Sequence, residues 1–208
     1  MTETDAYPVS YSVEYPDRDL DRLTTLFRPI VAIPILIVLA VVAGGGSESN
    51  DEGGRMVGAA GGLLFMGPLL MILFRQKYPR WWFDWNLALL RFGNRVAVYL
   101  ALMDDRYPST DLHQAVRLEF SCPDAESDLN RWLPLVKWLL AVPHFVVLVL
   151  LSIAAVLAVL FAWVAILFRG RYPRGLFDFV EGVLRWHNRV IGYAIILVTD
   201  RYPPFSLK

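Results

Sequence analysis

The sequence predicts a mainly α-helical integral membrane protein made of two tandem repeats. Of its 208 residues, 56% are hydrophobic and only 19% are charged, and the mean hydropathy is +0.43. Soluble domains are usually about 45–50% apolar with about a quarter of residues charged. The basic and acidic residues number 20 each, which excludes a strongly basic nucleic-acid binder. The only cysteine, Cys122, excludes a disulfide framework.

The repeat is defined by a series of residues that recurs at an offset of 94. The shared positions are Tyr78/Tyr172, Phe83/Phe177, Arg91/Arg185, Asn94/Asn188 and Tyr99/Tyr193, and each series ends in Asp-Arg-Tyr-Pro. The predicted copies span residues 7–108 and 116–208. The first copy carries a Gly-rich insertion over residues 44–58 that the second lacks.

Each copy opens with a segment in which apolar and polar residues alternate. The segments are Val9–Tyr15 and Val116–Cys122. A period of two is typical of a half-buried β-strand, so we predict two short strands that pair with each other. Unpaired strand edges would instead accept a partner chain. Cys122 falls on the apolar face, which predicts a packed thiol.

Long apolar stretches follow each strand. Leu23–Ala43 and Ala59–Phe74 flank the insertion, and Trp138–Phe168 contains no charged residue. A membrane helix needs about 20 residues, and the acidic insertion should emerge into water. We therefore predict a membrane hairpin in each copy, with the second turning near Ser152. The alternative is one long tilted helix per copy.

The distribution of basic residues predicts the orientation. Arg55 is the only one of the 20 Lys and Arg residues at a predicted hairpin tip. Because basic residues concentrate on the cytoplasmic side, we predict four spans with both termini in the cytoplasm. Trp82–Met103 and Leu176–Thr199 are then amphipathic helices at the inner interface. Both copies point the same way, which argues against inverted transporter repeats.

A polar stripe occupies one face of each amphipathic helix. Its members are Asp84, Arg91, Asn94, Arg95, Asp178, Arg185, Asn188 and Arg189. These side chains could form structural ion pairs that hold the copies together. They could also bind a lipid phosphate or a partner's carboxylate, or line an ion pathway.

A basic residue followed by Tyr-Pro occurs four times, a pattern typical of interfacial anchors that end a helix. The basic and tyrosine positions are Lys77, Tyr78, Arg106, Tyr107, Arg171, Tyr172, Arg201 and Tyr202. The three histidines are too scattered for a metal site, and His144 is predicted to be buried and hydrogen-bonded. No catalytic motif is present, so we predict no enzyme activity, metal or cofactor.

Three runs in the second copy resemble a bacterial, mainly actinobacterial, membrane family known as domain of unknown function DUF4389. They are Phe168–Phe179, Leu184–Val190 and Thr199–Phe205. The resemblance extends over both copies, although the first has Gly93 where the second has His187. It implies a multi-pass protein of the cell envelope and brings no established activity.

These observations predict a non-enzymatic accessory or scaffold protein of the cell membrane. Its expected partners are membrane lipids, another envelope membrane protein or a second copy of itself, and no nucleic acid. The alternative is a small transporter or channel in which the two polar stripes line the path.

Overall fold

The computed structural model describes residues 7–42, 67–109 and 114–208, and it is mainly helical with one small sheet. The sheet pairs β1 (Val9–Val13) with β2 (Val116–Phe120) in antiparallel orientation, with Tyr11 opposite Leu118. The predicted pairing of the two strands is therefore confirmed. In both strands alternate residues are buried, as the period of two predicts.

Cys122 corrects one detail of the strand prediction. β2 ends at Phe120, two residues before Cys122, and the thiol is exposed. The prediction of a packed thiol was wrong because Pro123 lacks the N–H that a continuing strand would need.

The described residues contain seven helices. They are α1 (Arg22–Val31), α2 (Ile33–Val42), α3 (residues 67–75), α4 (Arg80–Leu100), α5 (Pro134–Leu140), α6 (Val142–Arg169) and α7 (Arg174–Ala194). α1 and α2 meet at Ala32 with a bend of 44°. Pro34 follows this break as Pro143 follows Ala141, and a proline cannot donate the next helical hydrogen bond.

The predicted hairpin turn near Ser152 was wrong, because α6 is a single helix of 28 residues that continues through this position. The Ser152 hydroxyl donates to the carbonyl of Leu148 at 2.6 Å and so stays within the helix. The second half therefore does not contain two spans. The Gly-rich insertion and the turn expected in the first half lie outside the described residues.

α6 is long and apolar enough to cross a bilayer, and the bent pair of α1 and α2 passes the same test if it counts as one span. Only 17% of the most apolar part of α6 is buried inside the protein. A core helix of a soluble protein would be mostly buried, so this exposure favours contact with lipid.

The elements stack in layers: β1 packs on a helix at the other end of the chain, and β2 packs on the helix that precedes it. β1 lies on α7 and β2 lies on α4, while α6 covers the opposite side of α7. The main core is formed where the sheet meets these helices. It includes Val9, Tyr11, Leu118, Phe83 and Phe177.

Candidate functional site

The two asparagines of the polar stripe meet at the centre of the molecule. The side-chain amide of Asn94 donates to Oδ1 of Asn188 at 2.8 Å, and the amide of Asn188 donates back at 2.7 Å. Each amide also donates to a carbonyl of its own helix, on Leu90 and Leu184 respectively. Both side chains are buried, so this reciprocal pair fixes the crossing of α4 and α7.

Replacing one member of this pair should destabilise the fold by about 1–3 kcal/mol, because the remaining buried amide loses its partner. We expect this loss in Asn188→Leu and in Asn94→Leu, measured by thermal unfolding in detergent micelles. The double variant should regain most of the stability, since it leaves no amide unpaired. Additive losses in the double variant would contradict a direct coupling of the two residues.

The arginines of the stripe bind backbone carbonyls. Arg91 Nε donates to the carbonyl of Leu118 and Arg185 Nε to that of Tyr11, both at 2.9 Å. Arg95 donates to Ser109 and Arg189 to Ser206, so these two hold the following loops. The stripe arginines therefore act as clamps between the helices and the segments around them.

The aspartates of the stripe stand apart from its arginines. Asp84 and Asp178 are exposed and make no ion pair or hydrogen bond with any described residue. Asp84 lies seven residues before Arg91, which places it about 10.5 Å away along the helix despite the shared face. The stripe thus divides into a buried amide centre, clamping arginines and surface carboxylates.

Above the asparagine pair lies an open apolar groove of about 730 Å³. α2, α4, α6 and α7 form its walls, and most of its lining is aliphatic. Asn94 and Asn188 also line it, together with His187 and Ser152. Its composition suits a hydrocarbon chain better than a polar solute.

The four predicted tyrosine anchors occupy two environments. Tyr107 and Tyr202 are about half exposed, as the interfacial prediction requires. Tyr172 is 2% exposed and packs edge-on against Phe177, so it is a core residue and its prediction as a surface anchor was wrong. Tyr78 is half-buried and its hydroxyl donates to the carbonyl of Ile196 at 2.8 Å. The motifs do not end helices as predicted: Pro79 and Pro173 are the N-caps of α4 and α7, and the other two motifs lie in loops several residues after these helices. Packing decides which tyrosine faces outward.

The basic partners of these tyrosines are exposed. Arg106 forms an ion pair with Asp104 at 2.9 Å, and Arg171 forms one with Asp19 at 2.7 Å. Hydrogen bonding to the Asp104 carboxylate raises the pKa of Arg106. The side chains of Lys77 and Arg201 also reach the surface.

Two segments combine an exposed phenylalanine with three exposed cations. Basic loop 1 is residues 74–81 and carries Phe74, Arg75, Lys77 and Arg80; basic loop 2 is residues 168–174 and carries Phe168, Arg169, Arg171 and Arg174. The two phenylalanines are 69% and 79% exposed. Each loop begins at a helix C-terminus whose carbonyls receive another arginine: Arg131 donates to Leu73 and Phe74, and Arg22 to Phe168.

The two basic loops differ in how far their charges are neutralised. In basic loop 2, Arg171 pairs with Asp19, and Arg174 lies 3.7 Å from Asp17. The three cations of basic loop 1 form no ion pair with any residue in the described ranges. Basic loop 1 is therefore the more available anion-binding surface. The sequence identified both clusters, but the carboxylates that neutralise the second come from a distant segment.

Sequence reasoning missed two buried cations, and it was correct about a buried histidine. Arg28 donates to the carbonyls of Tyr99 and Asp104, and Lys137 donates to that of Thr199. Arg28 and Lys137 are 109 residues apart, the same offset that relates Pro34 to Pro143, and this correspondence was the available signal. His144 is buried and accepts a hydrogen bond from Trp186 Nε1 at 3.1 Å, which confirms the prediction for this residue.

The described residues contain no group of three or more His, Cys, Asp or Glu side chains that could hold a metal. The fold and its surfaces thus define a helical protein with an exposed apolar helix, two basic loops and a small polar sheet. Residues 132–206 match the model of a family described as a domain of unknown function, DUF4389. This match confirms the resemblance for that part of the chain, and for residues 7–131 the resemblance stays a prediction. No curated protein and no solved structure matches the chain.

Proposed function

We propose that this protein is a non-enzymatic accessory or scaffold protein of the bacterial cell membrane that binds anionic lipid head groups. The observation that carries the proposal is basic loop 1, where Phe74 and Trp81 are exposed beside three cations without a described ion-pair partner. Aromatic side chains settle at the boundary between lipid and water, and nearby cations attract phosphate. On a surface in contact only with water, exposing these aromatic side chains beside the cations would not stabilise the protein.

The apolar groove supports the same proposal. It offers an aliphatic surface to the chain of a lipid. Its lining includes the satisfied asparagine pair, so a hydrocarbon chain there leaves none of these amide donors unpaired. The basic loop attracts a lipid phosphate by charge, and the groove binds a hydrocarbon chain by apolar contact, so the surface can take up both parts of a lipid.

We further propose that the chain is a tandem duplication with its termini on the same side of the membrane. Matching contacts at equivalent positions support the duplication: Asn94 with Asn188, and Arg91 and Arg185 with opposite strands. The hydroxyl of Tyr7 donates to the carbonyl of Arg201 at 3.2 Å, which supports the placement of the termini. By the distribution of basic residues, this side is the cytoplasm.

Neutralising basic loop 1 should lower the preference for anionic lipid. In the triple variant R75Q/K77Q/R80Q, we expect the enrichment of phosphatidylglycerol over phosphatidylcholine around the protein to fall several-fold. The enrichment is measured in mixed vesicles with spin-labelled lipids. Because these side chains are exposed and make no described ion pair, the fold should be unaffected.

The matched control is the triple variant R169Q/R171Q/R174Q in basic loop 2. Two of these arginines already have aspartate partners, so the same change in formal charge should reduce the enrichment less. Equal effects of both triple variants would mean that only net charge matters. An unchanged enrichment in R75Q/K77Q/R80Q would refute head-group binding at basic loop 1.

A further inference from the structure

The direction of α6 is tied to that of the sheet through α7. β1 runs antiparallel along α7: Val9 packs against Gly192, while the N–H of Val13 donates to the carboxylate of Glu181 at 3.3 Å. From one contact to the other, β1 rises by roughly 13 Å over four residues, and α7 rises by roughly 17 Å over eleven residues. The axes of β1 and α7 are therefore close to parallel.

α6 in turn runs antiparallel along α7. Towards its start, Leu148 belongs to the core cluster of Val190 and Ala194. Further along, Ser152 and Leu184 line the same groove. Near its end, Ile166 belongs to the core cluster of Phe177. Residue numbers rise along α6 where they fall along α7, so the axes of α6, α7 and β1 are roughly parallel, with α7 running opposite to the other two.

The outer face of the sheet is polar. Ser10, Ser12, Arg117 and Glu119 are exposed on the side that faces away from α7. The inner face of the sheet shares its core cluster with Ala158, Ala162 and Ile166, so the sheet lies beside the middle and second half of α6. If α6 crossed the bilayer upright, the sheet would stand upright beside it, and the charged side chains of Arg117 and Glu119 would lie at the depth of the hydrocarbon. Ionisable groups at that depth are costly.

The face of α6 that points away from α7 is apolar along its whole length. Val146, Leu157 and Phe168 are spaced by eleven residues, which returns them to nearly the same side of the helix, and all three are more than half exposed. The residues of α6 that are buried, such as Ala158 and Ala162, lie on the opposite side. The molecule is therefore apolar on the α6 side and polar on the sheet side.

We infer that α6 lies in the plane of the membrane, with its exposed apolar face immersed in one leaflet and the polar sheet facing water. This inference rests on the proposed membrane binding and gives it a geometry. In this orientation, α7 lies at the interface, as its amphipathic sequence predicts, and the groove above the asparagine pair opens towards the lipid chains. The partner of the α6 face is the acyl region of one leaflet.

The depth of three spin labels on α6 tests this orientation. We would place single cysteines by V146C, L157C and F168C in the full chain carrying Cys122→Ser, and reconstitute each in vesicles of phosphatidylcholine and phosphatidylglycerol. The depth of each label follows from its relative collisions with oxygen and with a water-soluble nickel complex. Eleven helical residues rise about 16 Å, so an upright α6 would carry the label at position 157 far deeper than the other two.

For a helix in the membrane plane, we expect the three depths to agree within about 4 Å, a small difference compared with the rise of about 16 Å over eleven helical residues. A label at position 157 that lies more than 4 Å deeper than the labels at both ends would overturn the in-plane orientation while leaving membrane binding intact. If the protein fails to float with vesicles and all three labels respond as in water, the proposed function itself fails.

Discussion

Replacing Asp200 by alanine is expected to destabilise the protein by about 3–5 kcal/mol, because it leaves a buried ammonium group without its counter-charge. The side chain of Lys137 is completely buried, and its Nζ lies 2.6 Å from Oδ1 of Asp200. The remaining contacts of Nζ are the carbonyl of Thr199 at 2.7 Å and the ring of Tyr193. Neither contact carries a full negative charge.

The pH dependence of this loss identifies its cause. Burial lowers the pKa of Lys137, and the hydrogen bond and charge of Asp200 act in the opposite direction. Without Asp200 the folded-state pKa falls further below the unfolded value, so the unfolded chain binds more protons in that range. Stability then rises with pH. We expect the difference between Asp200→Ala and the native protein to shrink between pH 7 and pH 9.5.

Thermal unfolding in detergent micelles measures both effects. The double variant K137M/D200A should recover most of the loss, since an apolar side chain replaces the buried charge. Asp17→Ala is the matched control, because its pair with Arg174 is exposed and should contribute little. A loss in D200A that is unchanged by K137M or by pH would contradict the buried-charge explanation.

The parts of the fold that sequence predicted are those governed by local periodicity. The alternation over Val9–Val13 and Val116–Phe120 predicts both strands, and the mixed polarity after Pro79 and Pro173 predicts α4 and α7. In these elements the residues that decide the structure are near one another in the chain. The sequence also predicted that these two strands would pair with each other, and the antiparallel sheet confirms it.

The continuity of α6 could not be predicted in the same way. Its length exceeds one upright span, and analogy with the interrupted first half favoured a turn at Ser152. The structure resolves this with a helix packed lengthwise on α7. Apolar periodicity does not distinguish a lipid-facing side from a protein-facing one, because both are hydrophobic.

The roles within the polar stripe also depended on distant partners. The spacing placed Arg91 and Arg185 on one face with Asp84 and Asp178, which suggested ion pairs. Their partners are the carbonyls of strands more than twenty residues away. These carbonyls point away from the partner strand only once the two strands have paired. No local sequence pattern could therefore identify them as the acceptors for the arginines.

Arg91 and Arg185 occupy corresponding positions of the polar stripe but have different partners, so we expect them to respond differently to mutation. Arg185 donates to the carbonyls of Tyr11 and Leu207, both at 2.9 Å, and pairs with Glu181 one helical turn earlier. Glu181 is itself largely buried and accepts the N–H of Val13. At the position equivalent to Glu181, the first half has Leu87, and the Nε of Arg91 donates to a single carbonyl, that of Leu118.

Arg185→Ala should therefore cost about 2–4 kcal/mol, because it leaves a largely buried carboxylate and two carbonyls without their donor. Arg91→Ala should cost about 1 kcal/mol, the value of one hydrogen bond. Both are measured by thermal unfolding in the same detergent. Adding Glu181→Leu to R185A should restore part of the loss, since it removes the stranded charge. Equal losses in R91A and R185A, or no rescue by E181L, would mean that the Glu181 carboxylate does not determine the difference, and that the two arginines act only as clamps on the sheet.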